Sequence, residues 1–204
     1  RRDRLLGDVL ASQPVFEGGR DYGYVETMWP SKSDGTRIDG VVYGDYVKSK
    51  APGGSRHKPT VYFGANDGML HAFDGNDGSR RFSYVPSVLL SKIGNRADPG
   101  YVHDYFVDGP ITIHDVHNGT EWRTILVGTL GAGGKGAYAL DVTDPDSPQL
   151  LWEFFPGADA DMGHVLGEPV VARASNGTWI AAFGNGYGSS ANRAVLYVVD
   201  ALTG

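Results

Sequence analysis

Apolar and polar residues alternate with a period of two in short runs along most of the chain, and glycine-rich or proline-rich turns separate the runs. Val61/Phe63, Ile125/Val127 and Val195/Tyr197/Val199 set the phase, which is that of strands buried on one face. Three segments superimpose: TVYFGANDGMLHAFDGNDGS from Thr60, TILVGTLGAGGKGAYALDVTDPD from Thr124 and WIAAFGNGYGSSANRAVLYVVDALTG from Trp179. In each, one run closes at a glycine (Gly64, Gly128, Gly184) and the next at an aspartate (Asp74, Asp141, Asp200). The pattern predicts a repeated β-hairpin.

A proline-headed apolar run precedes each hairpin, at Pro14, Pro110 and Pro169. Proline at the start of a strand costs no ladder hydrogen bond, so these runs supply a third strand. RFSYVP (Phe82, Tyr84) and LLWEFF (Leu151, Trp152, Phe154) follow the first two hairpins and supply a fourth. Recurring four-stranded antiparallel units predict a β-propeller, in which each blade buries its faces against its neighbours. The fold class is therefore all-β: a partial propeller of about three blades, the third incomplete. Blade one takes residues 5–86 with an insertion at 17–58, blade two 109–156 and blade three 167–204. Between the first two lies an inter-blade helix and linker, 87–108, with Pro86 as its start signal and Gly94 as its stop. Closed propellers have four to eight blades, so the expectation is a longer parent chain continuing past Gly204 and a poor independent folder here.

The insertion carries Tyr22, Tyr24, Trp29, Tyr43 and Tyr46 among glycines and charges. Long loops in compact domains are usually functional or disordered, and disordered segments are aromatic-poor. These five aromatics are the candidate interaction surface, since aromatic side chains anchor interfaces. Packing of the loop on its own blade is the competing reading.

Composition narrows the partners. A net charge of −6, with no Lys/Arg run longer than Arg80-Arg81, offers nothing to neutralise a phosphate backbone and argues against nucleic acid. No apolar run approaches the roughly twenty residues of a spanning helix. The absence of cysteine removes disulfides, thiolate metal sites and cysteine nucleophiles.

Gly131, Gly133 and Gly136 fit the G-x-G-x-x-G spacing of a dinucleotide-binding turn, with Glu153 placed for a ribose contact. That motif works only where a helix leaves the loop, because the helix N-terminus holds the pyrophosphate. AYALDVTDPD follows Gly136 and reads as a strand, so the glycines predict a hairpin and no cofactor. His114 and His117 stand three apart on an extended run, on opposite faces, and read as a solvent-side and a turn histidine. His71, between Leu70 and Ala72, reads as packed or hydrogen-bonded inside the sheet; His103 and His164 stand alone. Asp159 and Asp161 begin like a calcium loop, but Gly163, His164 and Val170 occupy later positions where such a loop needs a ligand, a glycine and a glutamate. DGNDG at Asp74 fails similarly and reads as a turn. No catalytic constellation emerges: catalytic, cofactor and metal residues are all read as none.

LLGDVLASQPVF, VYFGANDGMLHAFDG, YFVDGPITIHDV, WRTILVGTLGAGGKGAYALDVTDP, LLWEF and FGNGYGSSANRAVLYVVDALTG, in this order, resemble the C-terminal β-propeller of the PilC/PilY-type type IV pilus proteins. The resemblance runs from about Leu5 to Gly204 and leaves only 17–58 unmatched. It implies a non-enzymatic, quinoprotein-like module at the pilus tip, working with minor pilins in pilus assembly, retraction control, twitching motility and attachment to host or abiotic surfaces. It also implies a periplasmic, outer-membrane or cell-surface location. The family's Asp-rich calcium loop would lie beyond Gly204, so the resemblance implies no cofactor within this stretch and leaves calcium to a longer parent. The alternative is part of a pyrroloquinoline-quinone-dependent periplasmic dehydrogenase, whose blade-locking Ala-x-Asp and Trp elements ALDVTDPDSPQLLWEF resembles.

Overall fold

The computed structural model describes residues 6–24, 43–155, 157 and 159–204. Its strands form three antiparallel sheets. The first holds β1 (Val15–Glu17), β2 (Thr60–Ala65), β3 (Met69–Asp74) and β4 (Arg80–Tyr84), in that order. The second holds β5 (Ile111–His117), β6 (Trp122–Thr129), β7 (Ala137–Asp141) and β8 (Gln149–Phe154), again in order. The third has three strands, β9 (Val170–Arg173), β10 (Trp179–Gly184) and β11 (Leu196–Asp200), with β10 central. β1, β5 and β9 follow Pro14, Pro110 and Pro169 directly. The ladder is bulged at Ala72/Phe73 in the first sheet and at Ala139/Leu140 in the second, corresponding points of the repeat.

The second sheet is buried on both faces. Leu126, Tyr138 and Leu140 pack with Tyr62, Leu70 and Ala72 of the first sheet. Their neighbours Ile125, Val127, Ala137 and Ala139 point the other way, into Val171, Trp179, Ala181 and Phe183 of the third. Period-two alternation thus feeds two cores from single strands, the reason β6 and β7 read as nearly continuous apolar runs. β1 touches β5, and β5 touches β9, so the leading strands stand side by side as in wedges of a disc. This is a partial β-propeller. A lock joins the second and third sheets: Trp152 Nε1 donates to Ala201 O at 3.0 Å, and a Cβ on Gly204 would lie 3.1 Å from the Trp152 side chain.

Two elements differ from the sequence reading. The insertion, expected as a loop, contains a helix, α1 (Tyr43–Lys50). The inter-blade helix is a relay of a 3-10 turn (Ser87–Leu89), α2 (Leu90–Ile93) and a second 3-10 turn (Gly94–Ala97). The α-helix does end at Ile93 with Gly94 as its C-cap, but at φ −56° Gly94 carries the right-handed run on into the second 3-10 turn, and the chain turns extended only at Asp98, φ −67° and ψ 129°.

Candidate interaction surface

α1 places Tyr43, Tyr46 and Lys50 on one buried face, the i, i+3, i+7 spacing of a helix stripe. Tyr43 is 5% and Tyr46 2% exposed. The Tyr43 hydroxyl donates to Asp115 Oδ2 at 3.0 Å and accepts from the Tyr22 backbone N–H at 3.0 Å. The Tyr46 hydroxyl meets Thr124 Oγ1 at 2.8 Å. Tyr22 stacks on His114 (centroids 4.1 Å apart) and donates to Ile113 O. Tyr24 stacks on Trp122 at 5.6 Å and meets Trp179 edge-on at 5.1 Å. The described parts of the insertion therefore lie across the ends of the second and third sheets and are held by rings from both.

This corrects the sequence reading for two residues. Tyr43 and Tyr46 are core side chains and present no outward face, because the helix turns them inward. Tyr22 and Tyr24 are half-buried, and Trp29 lies outside the described residues. Arg20, Asp21 and Gly23 are exposed beside them, with the Arg20 guanidinium 5.1 Å from the Tyr22 ring centroid. Burial, with the Asp115 charge second, pushes the Tyr24 phenol up to about 12, so it stays a neutral donor at ordinary pH.

Beneath α1 lies a buried ionic cluster. Lys50 Nζ donates to Asp115 Oδ1 at 2.7 Å, Asp115 Oδ2 at 2.8 Å, Glu17 Oε1 at 3.1 Å and Thr124 Oγ1 at 3.2 Å. Thr124 Oγ1 in turn donates to Asp115 Oδ1 at 2.7 Å. Burial is the largest influence on Asp115 and raises its pKa above the usual carboxylate value, against the lowering pull of Lys50. None of these residues is singled out by a sequence motif, although the strand ITIHDVH carries a signal. Asp115 shares the phase of Ile111 and Ile113, and a carboxylate at a core-facing position needs a buried partner.

The other candidate residues resolve into structure. The dinucleotide-like loop is a hairpin: a 3-10 turn at Gly131–Gly133 joins β6 to the antiparallel β7. Glu153 accepts from Tyr84 Oη and from the Ser87 backbone N–H and hydroxyl, capping the inter-blade turn. His71 is buried, with Nε2 2.8 Å from Asp67 Oδ2 and Nδ1 2.9 Å from Ser83 Oγ, as its alternation suggested. His117 ends β5 and its Nδ1 accepts from the Gly119 N–H of the following turn at 3.1 Å, in keeping with a turn histidine, yet it is buried, 6% exposed, with its ring 5.3 Å from Trp122. His114 is half-buried under Tyr22, not solvent-side. His103 pairs with Asp8, and His164 stacks on Tyr187. Asp159 and Asp74 accept from backbone N–H groups two residues on, and Asp161 pairs with Arg193. Among the described residues no group of three His, Asp or Glu side chains is placed to share an ion, and no helix is long and apolar enough to cross a membrane.

Residues 6–204 match the family model described as the PilY1 beta-propeller domain. A type IV pilus biogenesis factor PilY1 homolog of Xylella fastidiosa is 41% identical over 208 residues, covering 100% of this chain and 14% of the relative. The type IV pilus biogenesis factor PilY1 of Pseudomonas aeruginosa strain UCBPP-PA14 is 38% identical over 205 residues, 98% of this chain and 17% of the relative. The crystal structure of the Pseudomonas aeruginosa PilY1 C-terminal domain superposes with a TM-score of 0.66 at 40% identity, over 82% of this chain and 32% of that one. The chain thus spans 14 to 17% of the length of these curated relatives.

Proposed function

The chain belongs to the PilY1 β-propeller family, and from that premise we propose that it serves as a non-enzymatic scaffold module at the tip of a type IV pilus. In this reading it acts with minor pilins in pilus assembly and retraction control, and so in twitching motility and surface attachment. Its place is the periplasm, outer membrane or cell surface, and any calcium requirement belongs to the longer parent chain. The family match over residues 6–204 carries the reading. Rigid blades that present loops fit it physically, since binding residues concentrate on loops held by a stiff scaffold.

Within that scaffold the contact surface is the strip at 20–24, where exposed Arg20 and Asp21 flank the half-buried rings of Tyr22 and Tyr24, together with Trp29 from the rest of the insertion. The test uses the full-length protein in its own cells. Arg20→Glu reverses an exposed charge, and the pair Tyr22→Ala with Tyr24→Ala removes the rings. The expected result is fewer surface pili and reduced twitching at unchanged protein level for both. Normal piliation and twitching in both would remove the strip from the interface. Alcohol or sugar oxidation by the parent protein loaded with pyrroloquinoline quinone and calcium would overturn the non-enzymatic reading in favour of the dehydrogenase.

A further inference from the structure

The cluster beneath α1 contains an amine and a carboxyl group already in contact, together with a second carboxyl group beside the amine. Side-chain exposure is 7% for Lys50, 0% for Asp115 and 10% for Glu17. Aromatic rings roof the cluster: Lys50 Nζ sits 4.9 Å from the Tyr46 ring centroid, and Tyr43 Oη and Thr124 Oγ1 both donate to Asp115. We propose that Lys50 and Asp115 join in an intramolecular isopeptide bond, Lys50 Nζ to Asp115 Cγ, with Glu17 as the proton carrier.

The chemistry needs a neutral amine, because an ammonium has no lone pair, and a protonated carboxyl group, because a carboxylate resists nucleophilic attack. One proton passed from Lys50 to Asp115 turns the ion pair into that reactive pair. A site of low dielectric favours the exchange, since burial penalises both charges. Asp115, whose carboxyl burial holds above its ordinary range, is the partner disposed to take the proton. The Nζ lone pair then attacks Cγ and gives a tetrahedral centre. Glu17, 3.1 Å from Nζ, takes a proton from the nitrogen and delivers one to the departing hydroxyl. The C–O bond breaks and water leaves. Ammonium plus carboxylate yield amide plus one water, with no oxidant, reductant or external leaving group.

Three features of the site favour the forward direction. Both carboxyl oxygens of Asp115 lie within 2.8 Å of Nζ, so the fold holds the amine against the carboxyl group and the entropy cost of bringing them together is already met. Thr124 and Tyr43 stand as donors to the Asp115 oxygens, where negative charge develops in the tetrahedral centre. Glu17, Lys50 and Thr124 line a cavity of about 20 Å³, room for about one released water. After the bond forms, Glu17 keeps the Gly19 N–H at 3.0 Å as a donor, and Arg56 and Lys58 line the same cavity. The product replaces two buried charges by a neutral amide. It also ties the insertion to β5 between positions 65 residues apart, a covalent staple from α1 to the central sheet.

Peptide mapping of the full-length protein, purified from its own cells and digested with trypsin after denaturation, decides the matter. A free Lys50 precedes Ala51 and is cleaved; an acylated one is not. The expected product is a branched species joining the Lys50 and Asp115 peptides, one water lighter than their sum. Linear peptides alone, with cleavage after Lys50, would overturn the proposal without any variant. Glu17→Gln assigns the proton carrier: the branched species should form about a hundredfold more slowly or vanish, and formation at the wild-type rate would overturn that role. Lys50→Arg keeps the cation but cannot form the bond, and any branched species in it would show the assignment to be wrong.

Discussion

A Cβ built on Gly133 would sit 1.7 Å from Phe106 O and 2.3 Å from its carbonyl carbon, and backbone cannot swing aside as a side-chain tip can. The glycine spacing that mimics a nucleotide-binding turn is thus a record of close backbone approach between the β6–β7 hairpin and the inter-blade linker. Gly133→Ala is expected to cost more than about 4 kcal/mol, the range reserved for named steric failures. Gly44, inside α1, meets no other described residue within 4 Å of the place a methyl group would take and has no positive φ. Gly44→Ala is expected to add about 0.5–1 kcal/mol through the unfolded state. Urea unfolding of both variants checks the pair, and similar midpoints would refute the contrast. His114, whose ring lies 6.1 Å from Trp179, and His117, 5.3 Å from Trp122, make a pH prediction. Burial, the largest cause, lowers both His114 and His117 below the ordinary value of 6.5. The unfolded chain then binds more protons just below that value, so stability is complete above it and falls as pH drops through it. Melting temperature should decline between about pH 7.5 and pH 5.5, and His114→Gln combined with His117→Gln should flatten the slope. An unaltered slope in the double variant would place the proton uptake elsewhere.

Elements differ in how plainly the chain announces them, and the difference is physical. Strands such as β2 and β11 are legible because a sheet imposes period two on side chains, as in Val61/Phe63 and Tyr197/Val199. The corresponding bulges at Ala72/Phe73 and Ala139/Leu140 bear out the repeat as a structural unit. α1 is not legible: YGDYVKSK has a glycine, an aspartate and a serine in eight residues, and its helical state depends on burying Tyr43, Tyr46 and Lys50 more than on propensity. The same fact explains the reversal of the surface reading for two of the tyrosines. Counting aromatics in a segment does not reveal which way a helix will turn them. Lys50 escapes notice for a related reason, since its partners Glu17 and Asp115 come from two other elements and no local spacing links them. Trp152, by contrast, reads as a blade-packing residue and is one. Its indole N–H bond to Ala201 O crosses from the second sheet to the third. Trp152→Phe keeps a ring in the slot but leaves that carbonyl unpaired, at an expected cost of about 1–3 kcal/mol. Replacing Ala201 by another residue of similar size leaves the backbone acceptor in place and should not reproduce the loss. A Trp152→Phe variant as stable as wild type would reduce the lock to ring packing.

At the scale of the molecule, the faces that no described sheet covers carry the remaining information. The third sheet turns Val171, Trp179, Ala181, Phe183, Tyr197 and Val199 toward the second. Alternation forces their neighbours Val170, Ala172, Ile180, Ala182, Leu196 and Val198 onto the opposite face, where Val170, Leu196 and Val198 are 59%, 67% and 53% exposed. Among the described strands β11 pairs only with β10, so an apolar face and an open strand edge meet along one element. Such a combination drives association when nothing covers it. The 204-residue chain, studied by itself, is therefore expected to self-associate. Leu196→Lys with Val198→Lys should raise its monomer fraction in sedimentation velocity and change its unfolding free energy by no more than about 0.5 kcal/mol, because both side chains already lie in water. Tyr197→Lys, between them in sequence, should behave oppositely. Its ring lies 5.3 Å from Phe154 and 5.6 Å from Phe183, so a charge there enters the seam between the second and third sheets and weakens the fold. If the double lysine variant associates as strongly as wild type, the far face of the third sheet is not the adhesive surface.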